Sequence, residues 1–370
     1  MSRPRVLQLI HHLRVGGAET MLVELMPLLV EKGFDVRVAC LDDRGALFEP
    51  LTARGIPGHF IGRKRGFDPG AVWRLRRLLR DLQIDIHNTH SFSAGFWGRL
   101  AAVLARTPRV VTTVHTVAGW SQPLKQRLGN TLLRPATDRM VAVSESVKRS
   151  LIRQGMPGRL IRVIHNGIRP DAFRRSSARA ADRKRLGLNP EGVLIGMVGR
   201  CSPEKGGAVW VQLMARLIRT DPHVRGVLVG HGPEMADWQA QAAAEGIAER
   251  IRFVGMKTDV APWLAVLDVL VCPSVQESFG IVALEAQAAG IPVVATRVDG
   301  FLEVLHDGED ALLVEPANPA HMAEAVRRLL GPGELAGKLV EGGLRNVSRF
   351  TIGNTAEQYA ALYRELLDRE

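Results

Sequence analysis

The stretch Asp268 to Thr296 reads DVLVCPSVQESFGIVALEAQAAGIPVVAT, and its pattern decides the fold. Val269-Leu270-Val271 is a short apolar run of the kind a buried parallel strand requires. Pro273-Ser274 turns the chain. Ile281 to Ala289, rich in Ala and Leu, carries a helical pattern that Gly290 and Pro292 stop. Val293-Val294-Ala295 reads as the next strand. Strand, loop, helix, strand is the repeating unit of a parallel α/β sheet. One acid, Glu277, stands at the helix entry, and a second, Glu285, about two turns further in.

A helix N-terminus offers N–H groups and partial positive charge, so the Phe279-Gly280-Ile281 backbone suits an anion or a hydroxyl-rich ligand. Gly280 permits close approach of such a ligand to the backbone. In open α/β sheets the ligand crevice lies beyond the carboxyl ends of the strands, where this loop falls. Spacing alone leaves two readings open. Either both carboxylates accept hydrogen bonds from a ligand, or Glu277 caps the helix and Glu285 is a solvated surface acid.

The same pattern extends in both directions. Upstream, Val193 to Val198 has the look of a buried strand, followed by Gly199-Arg200-Cys201-Ser202-Pro203-Glu204-Lys205-Gly206-Gly207. Two cations on a Gly-rich loop ahead of a helix suit a diphosphate, which their charge neutralises and the N–H groups bind; the alternative is a basic surface turn. Val227-Leu228-Val229-Gly230-His231-Gly232-Pro233 is a further strand and turn. The N-terminal half repeats the alternation. Val6 to Ile10 is a strand, Gly16-Gly17 a tight turn opening a helix through Val30, and Phe34 to Ala39 the next strand. Ile84 to Ser91 is a strand running into a polar loop with His90, and Val110 to Thr116 a β-branched strand ending at His115. Val72 to Arg80 is amphipathic and arginine-rich. It lies either on an anionic membrane surface or on the core with a wet arginine face. Trp120 to Arg134, with Lys125 and Arg127, is an acceptor- or membrane-facing segment on this reading. Residues 171–190, rich in Arg, Ala and Ser, are expected to form the interdomain linker, and Thr351 to Glu370 a final amphipathic helix.

The chain has 370 residues, enough for two ordinary domains. It is 46% hydrophobic and 24% charged, a globular composition. Its apolar N-terminal run is too short for a signal-peptide core, and no apolar stretch nears the roughly 18 residues of a membrane span. The three cysteines, Cys40, Cys201 and Cys272, are far apart and indicate neither disulfides nor a metal site. A cytoplasmic location is expected. Net charge is +11, and residues 1–170 hold 27 basic and 12 acidic side chains, so all the excess lies in the N-terminal half. A field of one sign attracts an anionic partner such as a membrane surface, lipid phosphate or nucleic acid; the alternative is arginine used only for solubility.

Two glutamates separated by seven residues, with Phe-Gly after the first and Gly-Ile-Pro-Val-Val after the second, resemble the signature of glycosyltransferase family 4. The Gly16-Gly17-Ala18-Glu19 loop, the Asp85-x-x-Asn88-x-His90 stretch, the Gly199-Arg200-x-x-x-x-Lys205-Gly206 loop and the Val229-Gly230-x-Gly232-Pro233 turn resemble that family's landmarks in order. Two positions depart: Asn88 stands where the first His is usual, and Cys201 where Leu is usual. The resemblance implies an α/β, GT-B architecture of two Rossmann-like, doubly wound domains facing a central cleft. Residues 1–175 would form the acceptor-side domain and 190–350 the nucleotide-sugar domain, with helix 351–370 crossing back to the first. It also implies roles. Glu277 contacts the donor sugar and Glu285 the nucleotide ribose. Ser278, Phe279, Gly280 and Ile281 position the sugar. Gly16, Gly17 and Gly199 lie by the donor phosphates and Gly230 near the base. His115 sits beside the sugar. Arg200 and Lys205 stabilise the leaving diphosphate, with no metal and no cofactor other than the nucleotide diphosphate sugar as co-substrate.

The expected reaction is retaining transfer from a UDP- or GDP-sugar to a lipid-linked or polysaccharide acceptor in cell-surface glycan synthesis. His115, Arg200, Lys205 and Glu277 are the catalytic set. The basic half would give the enzyme a peripheral place on the inner face of the plasma membrane. Rival readings are a GT-B sugar-nucleotide epimerase, a glycogen synthase-like enzyme, and a nucleic-acid binder. The last explains the charge but not the glutamate pair, so no nucleic-acid partner is expected.

Overall fold

The computed structural model describes residues 3–117 and 123–368. The chain divides into two compact units, Met1–Gly167 with Ile352–Glu370, and Ile168–Thr351. Each is built on one all-parallel sheet with flanking helices.

The first unit holds strands β1 Arg5–Ile10, β2 Asp35–Cys40, β3 Gly58–Phe60, β4 Ile86–His90, β5 Arg109–Val114, β6 Arg139–Ala142 and β7 Ile161–Val163. Their order is β3-β2-β1-β4-β5-β6-β7, and every pairing is parallel. The second unit holds β8 Val193–Val198, β9 Val224–Val229, β10 Ile251–Phe253, β11 Val269–Cys272, β12 Val293–Thr296 and β13 Leu312–Val314. Their order is β10-β9-β8-β11-β12-β13, again parallel throughout.

Strands buried on both faces must be apolar on both, which is why they read as continuous apolar runs rather than alternating ones. Strand β11 shows this directly. Val269 and Val271 enter one core cluster and Leu270 and Cys272 the other, because successive side chains point to opposite faces. In both sheets the strand order reverses next to the first strand, at β1/β4 and at β8/β11. Such a reversal opens a crevice at the carboxyl ends.

Residues 171–190 are not a spacer. They carry the helix Arg179–Arg185 and belong to the second unit. Arg183 is buried. Its guanidinium donates to the Val266 and Gly192 carbonyls and meets Asp268 at 2.7 Å. Composition suggested a linker because arginine is usually solvated, but here a carboxylate and two carbonyls hold its charge inside.

The helix Ile352–Leu367 packs in the first unit through Tyr359, Leu362, Tyr363 and Leu366. Glu365 pairs with Arg139 at 3.3 Å and Arg162 at 2.9 Å. The arginine-rich helix is Pro69–Asp81, capped by Asp68, with Ala71, Val72, Leu75 and Leu79 on its buried face. Much of its arginine face is tied down: Arg74 donates to the Ile61 and Gly62 carbonyls and Arg76 to that of Leu104. Trp73 and Phe67 nevertheless stand 57% and 79% exposed beside it. Of the segment Trp120 to Arg134, Pro123–Leu132 forms a helix; Trp120 and the side chains of Lys125 and Arg127 lie outside the described residues. Among the described residues no helix is long and apolar enough to cross a membrane.

Candidate functional site

In the second unit three loops meet at the carboxyl ends of β8, β9 and β11. The first two are joined through their backbones. Cys201 N–H donates to the His231 carbonyl at 3.1 Å, and Glu234 N–H to that of Cys201 at 3.1 Å. A Cβ on Gly230 would lie 1.8 Å from the Gly199 carbonyl oxygen, so only glycine allows this approach. The Cys201 side chain is fully buried among apolar neighbours, and burial pushes its thiol up to about 11. It substitutes for leucine as a small, unreactive hydrophobe.

The third loop closes on the first. Gly206, at φ +68°, leaves no room for a Cβ against the Pro273 carbonyl, and Val275 N–H donates to the Glu204 carbonyl at 2.9 Å. This brings Lys205 Nζ to 2.6 Å from Glu277 Oε2, across 72 residues of sequence. Glu277 Oε1 accepts from the Ser278 N–H at 3.1 Å. Glu277 therefore does not cap the helix, whose N-cap is Gly280 in the left-handed region at φ +94° with no side-chain cap. Burial opposes the Lys205 charge, but the charge and hydrogen bond of Glu277, with Cys272 and Glu204 nearby, hold its pKa above the ordinary value. Lys205 is thus an ammonium with one of three donors committed and two left for a ligand. Arg200 is exposed on the same loop and forms no ion pair with the described carboxylates.

Phe279 is buried edge-on to Phe350, centroids 5.7 Å apart, so its ring anchors the loop and only its backbone faces the helix entry. Ile281 opens the helix Ile281–Ala288, which carries Glu285. Glu285 is half-buried, not a solvated surface acid. Burial, reinforced by repulsion from Asp259, pushes its carboxyl up to about 7. A ligand diol donates more strongly to the ionised form. Affinity for a ligand whose hydroxyls donate to Glu285 is therefore expected to rise as pH increases through about 7.

In the first unit Gly16 is the N-cap of the helix Gly17–Glu31, and Glu19 in its first turn lies 3.7 Å from His12. At the carboxyl ends of β4 and β5, His90 Nδ1 and His115 Nε2 are 2.9 Å apart. Burial holds His115 down at about 4, and burial with repulsion from His115 and His87 holds His90 well below the usual histidine value. Asn88, the departure from the family pattern, is fully buried; it donates to Tyr363 Oη at 2.9 Å and accepts from Thr113 at 3.1 Å. Two groups escaped sequence reading. His11 Nδ1 lies 2.7 Å from Asp42, which Arg63 also grips with two hydrogen bonds. Gln8 lies within the histidine cluster; its one signal was a polar residue inside an otherwise apolar strand. Among the described residues no group of three or more His, Cys, Asp or Glu could hold a metal ion.

Each unit is a parallel doubly wound domain, and in the second a cationic loop faces a glutamate at the switch point, where such sheets take their ligands. A family model described as Glycosyltransferase Family 4 matches residues 15–172, and one described as Glycosyl transferases group 1 matches residues 192–331. A D-inositol 3-phosphate glycosyltransferase of Acidothermus cellulolyticus is 32% identical over 95% of this chain and 86% of its own. Anabaena HepE in complex with UDP and glucose superposes with a TM-score of 0.88 at 22% identity, over 97% of this chain and 99% of that one. WaaG, a glycosyltransferase involved in lipopolysaccharide biosynthesis, superposes at 0.78 with 18% identity, over 97% and 99%. The chain belongs to glycosyltransferase family 4 and has the GT-B fold.

Proposed function

We propose that this glycosyltransferase moves a sugar from a UDP- or GDP-sugar, with retention and without a metal ion, to a lipid-linked or polysaccharide acceptor. The observation that carries this reading is the Lys205–Glu277 pair beside Arg200, with Glu285 on the helix that follows. As the C1–O bond to the diphosphate breaks, Arg200 and Lys205 stabilise the negative charge on the departing oxygen. Glu277 aims Lys205 and accepts from a sugar hydroxyl, and Glu285 accepts from the ribose. An acceptor hydroxyl oxygen then bonds to C1 on the face the diphosphate leaves, and its proton passes to the departing phosphate oxygen. That Anabaena HepE binds UDP and glucose supports the donor class.

The acceptor reading rests on charge. A net +15 on residues 1–170 suits a phosphorylated lipid at an anionic surface. Exposed Phe67 and Trp73, the latter under the Arg76 guanidinium at 5.2 Å, suit a headgroup region. A soluble phosphorylated polyol is the second reading, favoured by the relatives' name. Incubation of the protein with donor, with and without lipid-linked acceptor, tests the reaction. Nucleotide diphosphate should appear only with acceptor; conversion of the donor sugar to an epimer without it would replace transfer by epimerisation. Co-sedimentation with anionic vesicles at low salt tests the surface. Binding should weaken with salt, and no binding at low salt would remove the membrane from the account.

A further inference from the structure

Thr296 is fully buried at the end of β12, after Val293, Val294 and Ala295. Valine has the same shape and would fill this place as well, but for the hydroxyl. That hydroxyl donates to the Ser274 carbonyl. The direction is fixed, because a carbonyl oxygen only accepts. Strand β11 pairs with β12 as far as Cys272, so Ser274 lies two residues past the last rung of the ladder. A buried carbonyl needs a partner, and beyond the ladder Thr296 supplies it.

Ser274 belongs to the loop that carries Glu277. Backbone contacts clamp this loop on its other sides. The Pro273 carbonyl packs against Gly206, and Val275 N–H donates to the Glu204 carbonyl at 2.9 Å. The Glu277 carbonyl packs against Gly300, where a Cβ would lie 2.5 Å from its oxygen. The Thr296 side chain adds to these a clamp on the Ser274 peptide. Ser274 Oγ in turn lies 3.5 Å from Glu277 Oε2, the oxygen that Lys205 Nζ meets at 2.6 Å. Oε1 accepts the Ser278 N–H at 3.1 Å. Ser274 and Glu277 are three residues apart, so a turn of the Ser274 peptide carries the Glu277 carboxylate with it.

We propose that Thr296 is a positioning residue for the Lys205–Glu277 pair: its hydroxyl fixes the Ser274 peptide, and this sets where the Glu277 carboxylate stands against the Lys205 ammonium. The pair is then assembled before any ligand arrives, which is what lets a charged group stabilise developing charge without rearranging. Thr296 itself touches no ligand in this account. Without the hydroxyl the Ser274 carbonyl is buried and unpaired, and its peptide turns towards another donor. Misplacing a reacting group by about 1 Å costs up to about 10²-fold in rate. The effect on turnover rests on the proposed function; the effect on the pair does not.

The test is ammonium NMR on 15N-lysine-labelled full-length protein without ligand, with the Lys205 signal assigned by its loss in Lys205→Ala. An ammonium held by a carboxylate exchanges its protons with water slowly enough to be seen, and the wild type should show it. Thr296→Val should broaden the signal away. Thr296→Ser, which keeps the hydroxyl, should retain it. So should Val294→Ala, which loosens the same strand from the core without touching the loop. A missing wild-type signal, or one that survives Thr296→Val, overturns the proposal; so does its loss in Thr296→Ser or Val294→Ala. Turnover of UDP-glucose and GDP-mannose is then measured with lipid-linked acceptor. Thr296→Val should lower kcat by about 10-fold or more and change the donor KM much less, with Thr296→Ser near wild type. An unchanged kcat beside a lost ammonium signal overturns the link to turnover. A wild type that turns over neither donor counts against the proposed function, and the ammonium signals still decide the positioning.

Discussion

Lys205→Ala is expected to lower turnover by about 10²- to 10³-fold, the usual effect of deleting one donor that stabilises developing charge. Lys205 places its ammonium 2.6 Å from Glu277, at the loop that follows β8. Donor binding should fall much less than turnover, since in the proposed reaction Arg200 and the loop N–H groups would still meet the ground-state diphosphate. Lys205→Arg should not restore activity, because a planar fork cannot replace a point charge in a pocket closed by Gly206 against Pro273. The Lys205→Ala/Glu277→Gln double variant should lose less than the product of the single losses, because the two side chains act as one pair. Steady-state kinetics on the wild type, Lys205→Ala, Lys205→Arg, Glu277→Gln and the double variant checks this. A loss of donor affinity with kcat unchanged for Lys205→Ala would make the lysine a uniform binder with no special role in the transition state.

Acidification is expected to move the two units in opposite directions. In the first, burial holds His87 and His115 at about 4, and holds His90 below the histidine norm. Their folded values lie below the unfolded value near 6.5, so the unfolded chain binds more protons and stability falls as pH drops from about 6.5 towards 4. At pH 5 this costs about 2 kcal/mol for each of His87 and His115. In the second unit the Glu285 carboxyl is raised to about 7. Its folded value lies above the unfolded one, so stability rises as pH falls from about 7 towards 4.5, by about 2 kcal/mol at pH 5. Hydrogen exchange at pH 7.5 and 5, corrected for intrinsic rates, reads both. Slowest-exchanging amides in β1, β4 and β5 should lose protection and those in β8 and β11 gain it. Parallel changes in both sheets would contradict these assignments.

The fold was legible because parallel strands buried on both faces leave uninterrupted apolar runs, and because Gly and Pro punctuate them. The 268–296 stretch shows this: strand β11, the helix Ile281–Ala288 and strand β12 fall where the pattern put them. Long-range pairing was not legible. Nothing local joins Lys205 to Glu277, and nothing local tells a surface acid from Glu285, whose burial comes from its tertiary surroundings. Arg183 read as linker because its partners, Asp268 and the Val266 carbonyl, lie more than 80 residues away. Asn88 read as a bare departure from a motif because its partner Tyr363 is 275 residues on. Polar residues inside apolar strands were the one available clue, and Gln8 carried it.

The central claim is that Glu285 and the Lys205 loop hold a nucleotide sugar. A thermal-shift screen of UDP-, GDP- and ADP-sugars at pH 8, with wild type and Glu285→Ala in parallel, tests it most directly. One donor should stabilise the wild type, by about 2.7 kcal/mol at a hundred times its Kd, and should lose most of that effect in the variant. A shift that is equal in the two proteins, or no shift from any donor, would contradict it.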